Sequence, residues 1–221
     1  MDIKLIEVKE DILADNEKLA GEIRERLRDR KTLLVNLMSS PGSGKTSLLL
    51  KTAEGLKGVL RLGVIEADIA SQVDAEKMAA SGVPAIQLRT GGLCHLDAAM
   101  VEQGIQAIDN GDFDLLVIEN VGNLVCPAEF DTGAHRNIMI LSVPEGDDKP
   151  LKYPLMFSLC DVLLVNKIDC LPLFDFDREA LRQRALALNP SMKIWEVSCR
   201  TGEGLADWID WLKNEAVAFQ A

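Results

Sequence analysis

The chain predicts an α/β fold with a predominantly parallel sheet and helices on both faces. Three observations carry this. Apolar runs rich in Val, Ile and Leu alternate with helical patterns along the chain; the run over residues 32–38 leads into a Gly/Ser/Pro loop and then a helix; and the apolar run over 162–165 ends in Asn166-Lys167-Ile168-Asp169. Strands that are apolar at every position have both faces covered, which is the mark of a parallel sheet.

Taken in order, Ile12, Leu19, Ile23 and Leu27 form one stripe amid charged residues, predicting an amphipathic helix at about 11–30 that packs on the sheet. A partner-docking arm is the alternative. Strands are expected at 32–38, 60–66, 85–88, 115–119, 139–142, 162–166 and 193–197. Helices are expected at 45–54, 71–80, 95–108, 177–188 and 205–219. No repeat, low-complexity tract or linker divides the sequence, so residues 1–221 are read as a single domain.

The formal net charge of -11 argues against a nucleic-acid or anionic-membrane surface, since both need clustered Lys and Arg. The first ten residues have no signal-peptide core, and no later run is long enough to span a bilayer, so the expected location is cytoplasmic. Five cysteines point to free thiols or metal ligation rather than a disulfide framework.

Ser39-Ser40-Pro41-Gly42-Ser43-Gly44-Lys45-Thr46-Ser47 matches the phosphate-binding loop G-x-x-x-x-G-K-[ST] except that Ser39 replaces the first glycine. Gly42 and Gly44 let the backbone curl so that N–H groups point at phosphate oxygens, and the following helix adds its positive end. Lys45 is expected on the β- and γ-phosphates and Thr46 on a Mg2+ ion. The chain is therefore expected to have the P-loop NTPase fold.

Asn166-Lys167-Ile168-Asp169 lies where such folds read the base. Asp169 accepts hydrogen bonds from the N1–H and exocyclic amine of guanine, which adenine does not present, so GTP is the expected nucleotide. Asn166 braces the loop and the stem of Lys167 covers the base. Ser198-Cys199-Arg200-Thr201-Gly202 resembles the S-A-K segment whose backbone donates to guanine O6, with Cys199 departing at the middle position. Asp68 and Glu119, at two strand ends, are candidate Mg2+ and water-handling carboxylates, together with Lys45 the candidate catalytic set. Asp68 is alternatively a helix cap. Glu119-Asn120-Val121-Gly122 stands where most GTPases carry D-x-x-G, so the Gly122 N–H is a candidate γ-phosphate sensor.

Cys94, His95 and Cys126 form a soft-to-borderline donor set that suits Ni2+ or Zn2+, with Cys94 expected at a helix start that lowers its pKa. Three ligands leave a tetrahedral site one short, to be filled by water or by a second chain across a twofold axis. Buried apolar cysteines and a solvent-facing histidine are the alternative. His135 reads as a solvated loop histidine, or a phosphate or metal group. Cys160 and Cys170 read as packing residues, the acidic stretch 145–148 as either a turn or a dock for a basic partner, and the three tryptophans as core anchors.

Together the segments 41–46, 94–96, 119–130, 145–154, 166–169 and 198–204 resemble the HypB-type nickel-insertion GTPases of NiFe-hydrogenase maturation, in the class that also holds the urease nickel GTPase. The resemblance runs from about Glu17 to the last helix. The urease branch is expected to carry Cys-Pro-His where this chain has Cys126-Pro127-Ala128, which favours the hydrogenase branch. It implies slow GTP hydrolysis, a GTP-dependent homodimer with Cys94, His95 and Cys126 at its interface, HypA-type nickel accessory partners, and the hydrogenase large subunit as client. A dimer with a structural zinc, or a nickel GTPase serving urease or another metalloenzyme, are the alternatives. The N-terminus lacks the cysteine-rich and histidine-rich stretches of some members, so nickel storage there is not expected.

Overall fold

Seven strands form one parallel sheet in the computed structural model, which describes residues 8–68, 78, 80–108 and 112–221, with side chains from residue 13 onward and to residue 67 in the first of these segments. The elements are α1 (Val8–Asp29), β1 (Leu33–Ser39), α2 (Lys45–Leu56), β2 (Leu62–Asp68), β3 (Ala85–Arg89), α3 (Ala98–Ile108), β4 (Leu115–Glu119), β5 (Arg136–Ser142), α4 (Lys149–Lys152), α5 (Pro154–Leu159), β6 (Val162–Asn166), α6 (Arg178–Leu188), β7 (Lys193–Glu196) and α7 (Leu205–Gln220). The strand order is β3-β2-β4-β1-β5-β6-β7, and every neighbouring pair is parallel.

Strand alternation divides the core into two faces. Leu33, Val35, Leu37, Val117, Ile138 and Leu164 pack on α2 and α7. On the other face, Leu34, Ile65, Leu116 and Ile118 meet α1 and α3, while Met139, Leu141, Leu163 and Val165 meet α5 and α6. The expected stripe on α1 is buried at Ile23 and Leu27, so this helix is core on the described face; Ile12 lies outside the described side chains. Most of the expected helix at 71–80 also lies outside the described residues. Among the described residues, no helix is long and apolar enough to cross a membrane.

One expected boundary is corrected. The helix expected to open at His95 starts at Ala98, because Asp97 accepts the Met100 N–H at 2.8 Å and caps it there. Cys94 therefore does not sit at a helix N-terminus, the position on which the expectation for its thiol rested. The sheet reverses its direction of growth around β1 and β4, and parallel α/β folds bind ligands at the carboxyl edge of such a switch.

Candidate functional site

β1 delivers the glycine loop to that edge. Gly42 and Gly44 have φ of 74° and 105°, the left-handed region open to glycine, and a Cβ at Gly44 would collide with the amide of Asn166. Ser39 is the last residue of β1 and is not among the positive-φ residues, so a side chain is accommodated where the pattern has glycine. Its hydroxyl has a use: Lys45 Nζ donates to Ser39 Oγ at 2.8 Å. The loop lines a cavity of about 530 Å³ together with Glu66, Glu119, Val121, Gly122 and Lys167.

Two carboxylates stand side by side at the cavity floor. Glu66 and Glu119 are register partners on β2 and β4, both nearly inaccessible, and Thr46 Oγ1 donates to Glu119 Oε1 at 2.8 Å. A hydroxyl, two carboxylates and open space for phosphate make a hard-oxygen set that fits magnesium. Sequence reading missed Glu66, because a glutamate inside an apolar run looked like its end. The Asp68 backbone ends β2 at the same edge; its side chain lies outside the described ones.

The segment after Glu119 is held from behind by an amide ladder, also not foreseen. Val121 N–H donates to Asn120 Oδ1, Asn120 Nδ2 to Asn36 Oδ1, and Asn36 Nδ2 to Asn137 Oδ1, at 2.8, 3.1 and 3.1 Å. Gly122 lies against the phosphate loop, where a Cβ would come within 3.0 Å of Pro41.

At the end expected to read the base, buried Asn166 donates to the Ser43 carbonyl at 2.9 Å and accepts the Cys199 N–H at 3.4 Å, bridging the phosphate loop to the 198–202 loop. Lys167, itself left-handed at φ 62°, sends Nζ back to the Gly42 carbonyl at 2.6 Å. Asp169 accepts the Ser198 hydroxyl at 2.6 Å. Burial raises the half-buried Cys199 thiol above its usual pKa.

Cys94 and Cys126, 32 positions apart, meet with 2.8 Å between their sulfurs, and His95 completes a trio whose ligand atoms all lie within 4.8 Å of one another. The His95 ring stacks on Phe130 at 3.9 Å between centroids. Burial lowers the His95 pKa below its ordinary value, which leaves a neutral imidazole with a lone pair to offer. Contact with Cys94, then burial, raises the Cys126 thiol, so that thiol is protonated without a cation.

Two other sequence readings change. His135 is not a solvated loop residue: Nδ1 accepts the Leu34 N–H and Nε2 faces the Arg24 carbonyl, both at 3.0 Å, and burial lowers its pKa to about 4. The acidic stretch is engaged internally, with Glu145 accepting from Ser142 N and Oγ, Asp147 from Arg184 and the Asp177 N–H, and Asp148 paired with Lys152. These contacts favour a structural turn over a dock.

A glycine loop between a buried strand and a helix, set beside buried carboxylates on the same sheet edge, defines a nucleotide-binding domain of the P-loop class. Residues 33–196 match the family model described as CobW/HypB/UreG, nucleotide-binding domain. The chain is 48% identical over 212 residues to the hydrogenase maturation factor HypB of Azotobacter chroococcum mcd 1, covering 96% of this chain and 70% of that one. HypB from Helicobacter pylori, solved in complex with nickel, superposes with a TM-score of 0.88 at 37% identity, over 94% of this chain and 98% of that one. HypB from Archaeoglobus fulgidus superposes with a TM-score of 0.86 at 39% identity, over 92% and 100%. The chain belongs to the CobW/HypB/UreG family and, within it, to the HypB group.

Proposed function

We propose that this chain is a cytoplasmic, GTP-hydrolysing metallochaperone that couples nucleotide state and dimerisation to nickel delivery during NiFe-hydrogenase maturation. One observation carries the reading: the segment that starts at Glu119, bonded to Thr46 of the phosphate loop, ends seven residues later at Cys126, in contact with Cys94. A single short stretch thus holds both the phosphate sensor and a nickel ligand. The hydrogenase-maturation names of the relatives and the nickel-bound relative support the choice of client and cargo.

Lys45 exchanges Ser39 Oγ for the β- and γ-phosphates, and Gly42 to Thr46 cradle them with backbone N–H groups. Magnesium would supply charge neutralisation for the phosphates. Thr46 and Glu119 would hold it, with Asp68 assigned to the same ion, and Glu119 would also orient the attacking water. The Gly122 N–H donates to the γ-phosphate. Asp169, braced through Ser198, and Cys199 N–H read guanine, while Asn166 and Lys167 tie the base loop to the phosphate loop.

When the γ-phosphate leaves, Gly122 loses its acceptor and the 119–126 segment relaxes, moving Cys126 relative to Cys94 and His95. The trio is one donor short of a tetrahedron, and Leu93 and Val125 beside it are about half exposed. A second copy across a twofold axis would cover these residues and complete the site. A HypA-type protein is the proposed nickel partner, and the hydrogenase large subunit the eventual recipient.

Sedimentation and metal content test this, each measured with GDP, with a non-hydrolysable GTP analogue, and in Cys94→Ala. The reading requires a nucleotide-dependent dimer whose metal is lost in the variant. Metal retained through many turnovers would instead support a structural scaffold.

A further inference from the structure

The two loops that carry the nickel ligands are not strand-paired with each other and share a long side-chain bond, Asn123 Nδ2 to the Cys94 carbonyl at 3.4 Å, so further contacts must fix their spacing. Helix α1, which precedes the family-matched residues 33–196, crosses both. Asn16 Oδ1 accepts the Ala98 N–H at 2.8 Å, three residues past His95, while its Nδ2 donates to the Asp131 carbonyl at 2.9 Å, five past Cys126. One amide therefore bridges the two loops. Two turns on, Arg24 Nη2 donates to both oxygens of the Asp131 carboxylate, 2.7 Å to each, and Nε donates to the Ala134 carbonyl at 3.1 Å. The residue before Asp131 is Phe130, on which the His95 ring is stacked.

We propose that Asn16 and Arg24 are positioning residues for the Cys94, His95 and Cys126 site, making α1 the clamp that sets its ligand spacing. The proposal rests on the assignment of that trio as the nickel site. The physical basis is that outer partners orient metal ligands, and one planar guanidinium that holds the Asp131 carboxylate with Nη2 and the Ala134 carbonyl with Nε fixes the segment at two points. Neither side chain lines the nucleotide cavity, so the clamp acts on metal without acting on nucleotide.

The test uses the full chain with nickel alone, titrated against a chromophoric chelator. Nickel affinity, the thiolate-to-nickel charge-transfer absorption and GDP affinity are read for wild type, Asn16→Ala, Arg24→Ala and Cys94→Ala. Asn16→Ala and Arg24→Ala should each weaken nickel binding about 10- to 100-fold and alter the absorption band, with GDP affinity unchanged. Arg24→Lys, which keeps the charge beside Asp131 but has no second, fixed donor for the Ala134 carbonyl, should recover only part of the loss and guards against a folding defect in Arg24→Ala.

Wild-type nickel affinity in both α1 variants, with Cys94→Ala impaired, overturns the clamp and leaves the site assignment standing. Equal losses of nickel and GDP affinity also overturn it, because the helix would then be supporting the whole fold. Wild-type nickel binding by Cys94→Ala overturns the site assignment itself, and the clamp with it.

Discussion

The Thr46 hydroxyl donates to Glu119 Oε1 across 2.8 Å, tying the first turn of α2 to the segment that runs on to Cys126. That bond joins two ligands of the same proposed magnesium ion, one on the phosphate loop and one at the end of β4. Glu119→Gln preserves the acceptor for Thr46 and so the resting geometry, but removes the negative charge. The expected result is a fall in GTP hydrolysis of about 10- to 100-fold, with GDP affinity in the absence of magnesium retained. Single-turnover hydrolysis and magnesium-free GDP titration read the two effects separately.

Asp169 is the only carboxylate assigned to base reading, and its orientation is set by the Ser198 hydroxyl at 2.6 Å. Asp169→Asn keeps the shape but presents an amide to guanine N–H groups. Hydrogen bonds to a charged acceptor contribute about 1.5–3 kcal/mol each, so loss of two lowers the preference for GDP over ADP by about 100-fold or more. Competition binding with the two nucleotides measures the ratio.

Nickel affinity should rise with pH, and the protonation states give the sign. Cys126 is held above the usual thiol range by Cys94, so its proton must leave on binding; His95 is held below the usual imidazole range and is neutral at pH 7. With the Cys126 proton released, log affinity climbs by at least about one unit per pH unit above neutrality. His95 contributes no inflection there. Chelator competition across a pH series, with proton release followed in weak buffer, checks both statements.

His135 gives acid sensitivity of a different origin. Its folded pKa of about 4 lies below the unfolded value of 6.5, so the stabilising contribution is complete above 6.5 and is lost as pH falls toward 4. Protonation would put a hydrogen on Nδ1, where the Leu34 N–H now donates, and so part His135 from β1 while Nε2 stays on the Arg24 carbonyl of α1. Urea unfolding at pH 7.5 and pH 5 should show a smaller loss of stability in His135→Gln than in wild type.

The parts legible in the sequence were those written locally. Residues 32–38 and 45–54 foretold β1 and α2 because apolar run, glycine turn and helix follow one another, and Asn166 to Asp169 were legible as a strand end. Cys94 and Cys126 were legible only as chemistry. Their 2.8 Å approach depends on β4 lying between β2 and β1, which no spacing of 32 positions encodes. Glu66 was hidden because its meaning comes from being the register partner of Glu119. His135 was misread for a related reason: a polar residue just before a strand looks solvated until a helix from the other end of the chain, here α1, closes over it.

Coupling between phosphate sensor and thiols is the central claim, and nickel affinity measured with bound GDP and with a bound non-hydrolysable GTP analogue tests it most directly. Linkage requires the two affinities to differ, typically by about 5- to 150-fold for a coupling of 1–3 kcal/mol, with nickel shifting the relative affinity for the two nucleotides by the same factor. Equal nickel affinity in the two nucleotide states would contradict the account.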